Sequence, residues 1–280
     1  MTKINIDQWL KTNTKKRVLQ SEIAHLEAQV LLGFALNKPR EWLVTHPDFE
    51  LSFEQALQAN KLFEDLNSGV PLPYLVGKQA FFGLDFIVTP DVLIPRPETE
   101  QLVEETIQWL EEHPLRRKMV DVGTGSGIIA VTLADHFDGL KISAVDISTE
   151  ALAIAKKNAL KFGVDQHIEF LQSDLLKNCP GRFDLIVANL PYIPSETLKS
   201  LSVSRHEPLL ALDGGQDGLD LISRLFAQSI DKLNPGGAML LEIEAGQAEA
   251  VTRLAEKYWP NAKNTILFDL AKQPRIIKIY

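Results

Sequence analysis

The sequence predicts an α/β fold in which a mostly parallel sheet follows a small helical domain. Beyond residue 98, short runs of β-branched and aliphatic residues alternate with helical segments of ten or more residues. That alternation is typical of a parallel sheet covered by helices on both faces. The first 75 residues show helical periodicity instead. A chain of 280 residues has room for both parts, because a domain usually contains about 100–200 residues.

Composition excludes several classes of protein. Hydrophobic residues make up 45% and charged residues 24% of the chain, as in globular proteins. The formal net charge of −8 argues against sequence-blind binding to nucleic acids or anionic membranes. The single cysteine, Cys179, cannot form an internal disulfide and fits a reducing compartment. We find no long apolar run and no apolar segment of a signal peptide, so we expect a cytoplasmic protein.

The helical domain is predicted to cover residues 1–75. Ser21 is a candidate N-cap, and a second helix is expected to begin at Ser52 and to end at Ser68–Gly69. The apolar stripe after Ser21 consists of Ile23, Leu26, Val30, Leu31 and Phe34. The basic run 15–17 is interpreted as a solvated helix face. Because this domain has no clustered ligands and no nucleophile–base pair, we interpret it as a substrate-positioning domain.

A linker is predicted at residues 76–97. The segment 79–88 contains two short strand-like runs around a turn with a glycine. Pro90, Pro95 and Pro97 follow, and prolines favour an extended chain. We therefore expect a β-hairpin and an extended connector before the last domain, residues 98–280.

The last domain is predicted to alternate helices and strands. The expected order is helix 99–112, strand 119–122, helix 127–135, strand 142–145, helix 149–162, strands 168–171 and 185–188, helix 218–233 and strand 239–243. Two further strand-like runs, 265–270 and 275–280, are separated by only a few residues. Such a short connection suits a hairpin, so an antiparallel pair is expected at one edge of the sheet.

A glycine-rich turn follows the first of these strands. Its sequence is Gly123-Thr124-Gly125-Ser126-Gly127. Glycines at the end of a buried strand let the backbone turn sharply and let a ligand approach the main chain. The spacing G-x-G-x-G differs from the G-x-G-x-x-G pattern of dinucleotide sites. Either a different ligand or a plain tight turn is compatible with this segment.

Two acidic residues follow the next two strands. Asp146 ends one strand, and its carboxylate could accept hydrogen bonds from both hydroxyls of a ribose. Alternatively, Asp146 could be the N-cap of the helix that follows, although Ser148 could also fill that role. Asp174 comes after the third strand, where its side chain could reach an adenine amino group while Leu175 covers the ring.

The fourth strand ends in Asn189-Leu190-Pro191-Tyr192. The amide oxygen of Asn189 would hold a planar NH2 group, and the Leu190 carbonyl would accept its second hydrogen. Tyr192 would stack on the flat acceptor. The alternative is a strand-ending turn with a packed tyrosine.

Together these residues resemble the class I methyltransferases that use S-adenosylmethionine, and more narrowly the PrmC/HemK family of peptide chain release factor glutamine methyltransferases. The stretches that carry the resemblance are 93–100, 121–127, 189–193, 207–215 and 217–219. It implies a Rossmann-like class I methyltransferase fold for residues 98–280. It also implies methyl transfer from S-adenosylmethionine, with S-adenosylhomocysteine as product. The acceptor would be the glutamine amide nitrogen in the Gly-Gly-Gln motif of class 1 release factors.

The resemblance implies two sets of site residues and no metal ligand. The catalytic set is Asn189, Leu190, Pro191 and Tyr192. The cofactor-binding set is Gly123, Thr124, Gly125, Ser126, Gly127, Asp146, Asp174, Leu175 and Asn189. The segment 207–218 is expected to flank the release factor loop. Arg96, Glu98 and Thr99 either close over the methionyl end of the cofactor or cap the helix that follows.

The sequence departs from the family pattern in two places. The segment 270–275 only loosely matches the family's usual ending, and Leu190 stands where the family usually has proline. We expect activity to survive, because Leu190 still supplies a carbonyl and Pro191 still favours an extended Leu190.

Other functions stay open at this point. They are an amino methyltransferase acting on a nucleic-acid base, a glutamine methyltransferase acting on a ribosomal protein, and a non-catalytic cofactor-binding protein. The acidic balance counts against the first of these. The expected partners are therefore class 1 release factors, without a membrane or a direct nucleic-acid substrate.

Overall fold

The computed structural model describes residues 4–280 and divides into two compact units, one ending at Gly77 and the other spanning Lys78–Tyr280. The first three residues of the predicted helical domain lie outside the described residues. The first unit contains the helices α1 (Ile6–Arg17), α2 (Ala24–Leu36), α3 (Arg40–Thr45), α4 (Phe53–Asn67) and α5 (Leu72–Val76). The predicted helical region is therefore confirmed.

A buried tryptophan organises the core of the first unit. Trp9 of α1 is 1% exposed, and its ring meets Phe63 of α4 edge-on at 5.8 Å between ring centroids. Its indole Nε1 donates a hydrogen bond of 2.8 Å to Asn60 Oδ1. A buried indole N–H needs such an acceptor, so Asn60 fixes how α1 packs on α4. Helix α4 starts as predicted, with Ser52 as its N-cap in a capping box with Gln55.

The predicted start of α2 is wrong. The helix begins at Ala24 with Ile23 as N-cap, so Ser21 is not the cap. The predicted apolar stripe is also wrong in part, since Ile23, Leu26 and Phe34 are exposed. The buried face consists of Ala24, Ala28, Leu31, Leu32 and Leu36. Apolar residues occur on almost every side of α2, and its contacts with α1 and α4 determine which of them are buried.

Arg17 departs from the predicted solvated face, although Lys15 and Lys16 are exposed. The Arg17 side chain is 12% exposed and forms two hydrogen bonds with Glu27, Nε to Oε2 at 2.5 Å and Nη2 to Oε1 at 3.0 Å. The bond to Arg17 lowers the pKa of the Glu27 carboxyl. This paired geometry is the strong form of an arginine–carboxylate contact, and it joins α1 to α2.

The second unit contains a hairpin and a larger sheet with its helices. Its strands are β1 (Lys78–Phe81), β2 (Leu84–Ile87), β3 (Lys118–Val122), β4 (Lys141–Asp146), β5 (Ile168–Gln172), β6 (Phe183–Ala188), β7 (Leu233–Glu242), β8 (Asn264–Phe268) and β9 (Pro274–Ile279). Its α-helices are α6 (Glu98–Glu112), α7 (Ile128–His136), α8 (Thr149–Phe162), α9 (Ser195–Leu198), α10 (Asp220–Ser229) and α11 (Ala248–Tyr258). Helix α10 is shorter than the predicted 218–233, because the chain already enters β7 at Leu233.

Within the described residues the large sheet has seven strands in the order β5-β4-β3-β6-β7-β9-β8. Strands β3 to β7 pair in parallel, whereas β9 is antiparallel to both β7 and β8. The predicted α/β class, the mostly parallel sheet and the antiparallel edge are confirmed. Parallel pairing brings the carboxyl ends of β3, β4, β5 and β6 to one edge of the sheet.

Asn158 joins the hairpin to the edge of the sheet that carries the glycine-rich turn. This residue of α8 is fully buried, and its Nδ2 donates to the Ile87 carbonyl at 3.0 Å and to the Ser126 carbonyl at 2.8 Å. Its Oδ1 accepts from the Ile87 N–H at 2.7 Å. One side chain thus satisfies three backbone groups that belong to β2 and to the glycine-rich turn.

We predict that Asn158→Ala lowers the free energy of unfolding by about 2–4 kcal/mol, because buried backbone groups lose their partners. Urea unfolding followed by circular dichroism measures the change. Lys157→Ala, at an exposed neighbouring position of α8, is the control and should stay within about 0.5 kcal/mol of the parent. Equal effects of both substitutions would show that the Asn158 bonds do not anchor the hairpin.

Candidate active site

The loops at the carboxyl ends of the parallel strands enclose a cavity of about 610 Å³. This volume lies in the usual range for small-molecule sites, about 300–1,000 Å³. The predicted site residues that line it are Gly123, Gly125, Asp146, Asp174, Leu175, Asn189, Leu190 and Pro191. The wall is completed by residues of the connector and of the segment after β6, among them Leu93, Leu209 and Leu210.

The other three residues of the glycine-rich turn are not among those that line the cavity. Thr124 and Ser126 are 4% and 2% exposed, and their side chains are buried in the protein. Gly127 has a φ of 83°, and a Cβ there would lie 3.0 Å from the Ala155 Cβ of α8. These residues shape the turn and let α8 pack closely against it.

A buried carboxyl group forms hydrogen bonds with the glycine-rich turn and with the first turn of α7. Asp121 Oδ2 accepts hydrogen bonds from the Thr124 hydroxyl at 2.6 Å and from the Ala130 N–H at 3.2 Å. Its Oδ1 has no partner among residues 4–280. Burial raises the pKa of Asp121 to about 7. Asp121 is not among the predicted site residues, although an acidic residue two positions before the first glycine was visible in the sequence.

Asp146 faces the cavity and is held by two backbone N–H groups. Its Oδ2 accepts from Gly125 and its Oδ1 from Ser148, both at 2.9 Å. Burial raises its pKa, and these hydrogen bonds act in the opposite direction. Ser148 is the N-cap of α8, so the alternative role of Asp146 as that cap is excluded. Each carboxylate oxygen keeps a lone pair for a ligand hydroxyl.

Asp174 and Leu175 lie on the same cavity wall. The Asp174 carboxylate forms an ion pair with Arg224 of α10, which also lines the cavity. Leu175 is buried and has a φ of 54°, a left-handed conformation that is uncommon for a residue with a branched side chain. The turn after β5 therefore keeps an unusual backbone that places Asp174 at the rim.

A second cavity of about 230 Å³ adjoins the first. Asn189, Leu190 and Pro191 line both cavities, whereas Tyr192 and Arg96 line only the smaller one. The bend after β6 thus separates two spaces and is open to each. Burial raises the pKa of the Tyr192 hydroxyl to about 12, so this ring is neutral at physiological pH.

Two buried polar residues lie behind Asn189. Asn189 Nδ2 donates a 3.0 Å hydrogen bond to Thr99 Oγ1 of α6, and Thr99 is 1% exposed. Glu242 at the end of β7 is 3% exposed. Burial raises the pKa of Glu242 to about 7, while the nearby polar groups of Thr99 and Asn189 act in the opposite direction. Glu242 is not among the residues predicted from the sequence.

The start of α6 shows that one predicted alternative, a helix cap at Glu98 or Thr99, is wrong. The N-cap of α6 is Pro97, so neither Glu98 nor Thr99 caps this helix. Arg96 binds the buried Glu207 at 2.5 Å, and Glu207 Oε2 accepts from the Ile94 N–H at 3.0 Å. These bonds join the connector to the segment after β6, and both segments contribute to the cavity walls.

Within residues 4–280 the structure has neither a metal-binding cluster nor a membrane-spanning helix. No cluster of three His, Cys, Asp or Glu side chains in this range could hold a metal ion. No helix there has both the length and the apolar content that a bilayer crossing needs.

Comparison with protein families gives two matches. The Methyltransferase small domain matches residues 101–204, and the PrmC N-terminal domain matches residues 10–77. A solved methyltransferase from Pyrococcus furiosus has the same fold, with a TM-score of 0.52, 19% identity, and coverage of 80% of this chain and 96% of that chain. The predicted class I methyltransferase fold is confirmed.

Two curated relatives are similar over nearly their whole length. The release factor glutamine methyltransferase of Koribacter versatilis is 40% identical, with coverage of 94% of this chain and 97% of the relative. That of Moorella thermoacetica is also 40% identical, with coverage of 92% of both chains. Both units of the structure fall within these matches, and the chain belongs to the family of the release factor glutamine methyltransferases.

Proposed function

We propose that this protein transfers the methyl group of S-adenosylmethionine to the side-chain amide nitrogen of a glutamine. The proposed glutamine is that of the Gly-Gly-Gln motif in class 1 peptide chain release factors. One observation carries the proposal: Asn189, Leu190 and Pro191 line both cavities, so a donor in one can meet an acceptor in the other. The names of the relatives support the glutamine and the release factor.

The larger cavity fits S-adenosylmethionine. Gly123 and Gly125 have positive φ angles and place backbone without a Cβ on its wall. Asp146 would accept the ribose hydroxyls, and Asp174 would accept the adenine amino group beside Leu175. When bound, S-adenosylmethionine supplies an electrophilic methyl group on a positively charged sulfur. The acidic side chains of this cavity suit such a cationic ligand.

The smaller cavity would hold the acceptor amide. An amide nitrogen is a poor nucleophile, because its lone pair is delocalised into the carbonyl, so orientation is the main task of the enzyme. Asn189 Oδ1 and the Leu190 carbonyl would each accept one hydrogen of the NH2 group. The same two oxygens would stabilise the positive charge that grows on the nitrogen. The methylated nitrogen is acidic enough to lose its proton to water, so no dedicated base is needed.

Tyr192 and the helical unit complete the proposal. Tyr192 would stack on the planar amide as a neutral ring. The helical unit would help to position the release factor, and its exposed apolar side chains, Ile23, Phe34, Phe53 and Leu57, suit contact with a protein. The segment 207–218 would flank the Gly-Gly-Gln loop.

The proposal is tested with radiolabelled S-adenosylmethionine and purified class 1 release factor. We expect label in the release factor and a 14-dalton shift of its Gly-Gly-Gln peptide. A release factor with the target glutamine replaced by alanine is the control and should stay unlabelled. Label that enters only RNA or DNA would instead establish a nucleic-acid base methyltransferase. Label in a ribosomal protein would show that the substrate is that protein and not a release factor.

We predict that Asn189→Ala reduces turnover by at least about 10²-fold, because the acceptor nitrogen loses the Asn189 Oδ1 atom that would orient it by a hydrogen bond. Steady-state kinetics with release factor measure this loss. Asn261→Ala, at an exposed position of the same unit, should keep parental turnover. Parental turnover of Asn189→Ala would remove Asn189 from the reaction.

Asp146→Ala is expected to weaken cofactor binding about 10- to 100-fold, since two charge-assisted hydrogen bonds to the ribose are lost. Isothermal titration calorimetry with S-adenosylhomocysteine measures the affinity. Asp138→Ala removes an exposed carboxylate of the same unit and should leave affinity unchanged. An unchanged affinity of Asp146→Ala would assign the ribose to another group.

A further inference from the structure

We infer that Thr99 and Glu242 are positioning residues that fix which end of the Asn189 amide faces the substrate. The inference rests on the proposed function, in which Asn189 Oδ1 accepts a hydrogen from the acceptor amide. It adds two residues from distant parts of the chain, one on α6 and one at the end of β7.

The orientation of Asn189 needs such an explanation. The NH2 and C=O ends of an amide have almost the same shape, so packing alone does not distinguish them. The hydrogen-bond partners must do so. Asn189 Nδ2 donates to Thr99 Oγ1 at 3.0 Å, and this contact is made in the interior, because Thr99 is 1% exposed.

Glu242 explains why the NH2 end is directed inward. Leu241 pairs with Ala188 in the sheet, so Glu242, the last residue of β7, lies beside the start of the Asn189 bend. Its side chain is buried, and Glu242 Oε2 has no hydrogen-bond partner within residues 4–280. Above its raised pKa, Glu242 is an ionised carboxylate, which only accepts hydrogen bonds. A flipped Asn189 would turn its carbonyl oxygen toward that negative charge in a low-dielectric interior.

Thr99 links the carboxylate to the amide. A hydroxyl has one hydrogen to donate and two lone pairs to accept. When the Thr99 hydrogen points to Glu242, the lone pairs on Oγ1 remain for the Asn189 NH2 group. The inward NH2 leaves Asn189 Oδ1 on the side of the cavities. Such a buried row of hydrogen-bonded side chains favours one orientation of each group, because any other orientation places two hydrogen-bond acceptors against each other.

The first experiment compares two substitutions of Thr99. Thr99→Val keeps the shape and removes the hydroxyl, whereas Thr99→Ser keeps the hydroxyl. At pH 8.5, above the raised pKa of Glu242, Thr99→Val should lower kcat about 10- to 100-fold, as expected for a misaligned reactant. Thr99→Ser should stay within about threefold of the parent. The affinity for S-adenosylhomocysteine should be the same in all three proteins.

The second experiment exchanges the hydrogen-bonding partners. Asn189→Asp puts a second carboxyl group beside Glu242 and should abolish turnover. Adding Glu242→Gln supplies an NH2 donor to the new aspartate and leaves its other oxygen for the substrate. The double variant should therefore recover at least about tenfold over Asn189→Asp alone. No recovery, or equal kcat for the Thr99 pair, would overturn the inference.

A readout without any substrate separates this inference from the proposed function. The side-chain NH2 signals of Asn189 in a ¹⁵N–¹H spectrum are assigned by their loss in Asn189→Ala. They should shift in Thr99→Val and stay near their parental positions in Thr99→Ser. Signals that do not move in Thr99→Val would contradict the inference, whatever the enzyme methylates. A parent protein that does not label release factor contradicts the proposed function alone.

Discussion

The site depends on the position of β3 in the sheet. From β3 the chain moves outward through β4 to β5, then returns to form β6 on the other side of β3. The segments after β3 and β6 diverge at this switch point and leave a crevice beyond the strand ends. Gly123, Asp146 and Asn189 are distant in sequence and meet there, because each follows or ends one of these parallel strands.

Buried carboxyl groups surround that crevice. Burial raises the pKa of Asp121, Asp146 and Glu242. Burying a carboxylate is unfavourable unless hydrogen bonds compensate it, and backbone N–H groups do so for Asp121 and Asp146. The three acids differ in their surroundings: Asp121 accepts a hydrogen bond from the glycine-rich turn, Asp146 lines the larger cavity, and Glu242 lies near Asn189. The hydrogen bonds of Asp121 and Asp146 restrain the backbone after β3 and β4, and the orientation-dependent reaction that we propose needs such restraint.

Local patterns in the sequence were sufficient for the sheet and for its edge. Strands buried on both faces consist of β-branched and aliphatic residues, a signal that does not depend on distant contacts. Contacts between distant segments explain what was missed. Arg17 is withdrawn from solvent by Glu27, the buried face of α2 is selected by α1 and α4, and Glu242 gains its surroundings from α6. No spacing rule reports such partners, because they are set by packing.

The leucine at the bend shows how packing can replace a covalent restraint. The family resemblance leads us to expect a proline at this position, and a proline ring fixes φ. Leu190 is 4% exposed instead, and its Cδ2 lies so close to Gly123 that a Cβ there would be 3.1 Å away. The glycine-rich turn therefore receives the leucine side chain, and Thr99 holds Asn189 on the other side. The bend is therefore held by the buried Leu190 side chain and by the hydrogen bond of Asn189, its first residue. A larger residue at Gly123 would disturb the same bend, which couples the wall of one cavity to the geometry of the other.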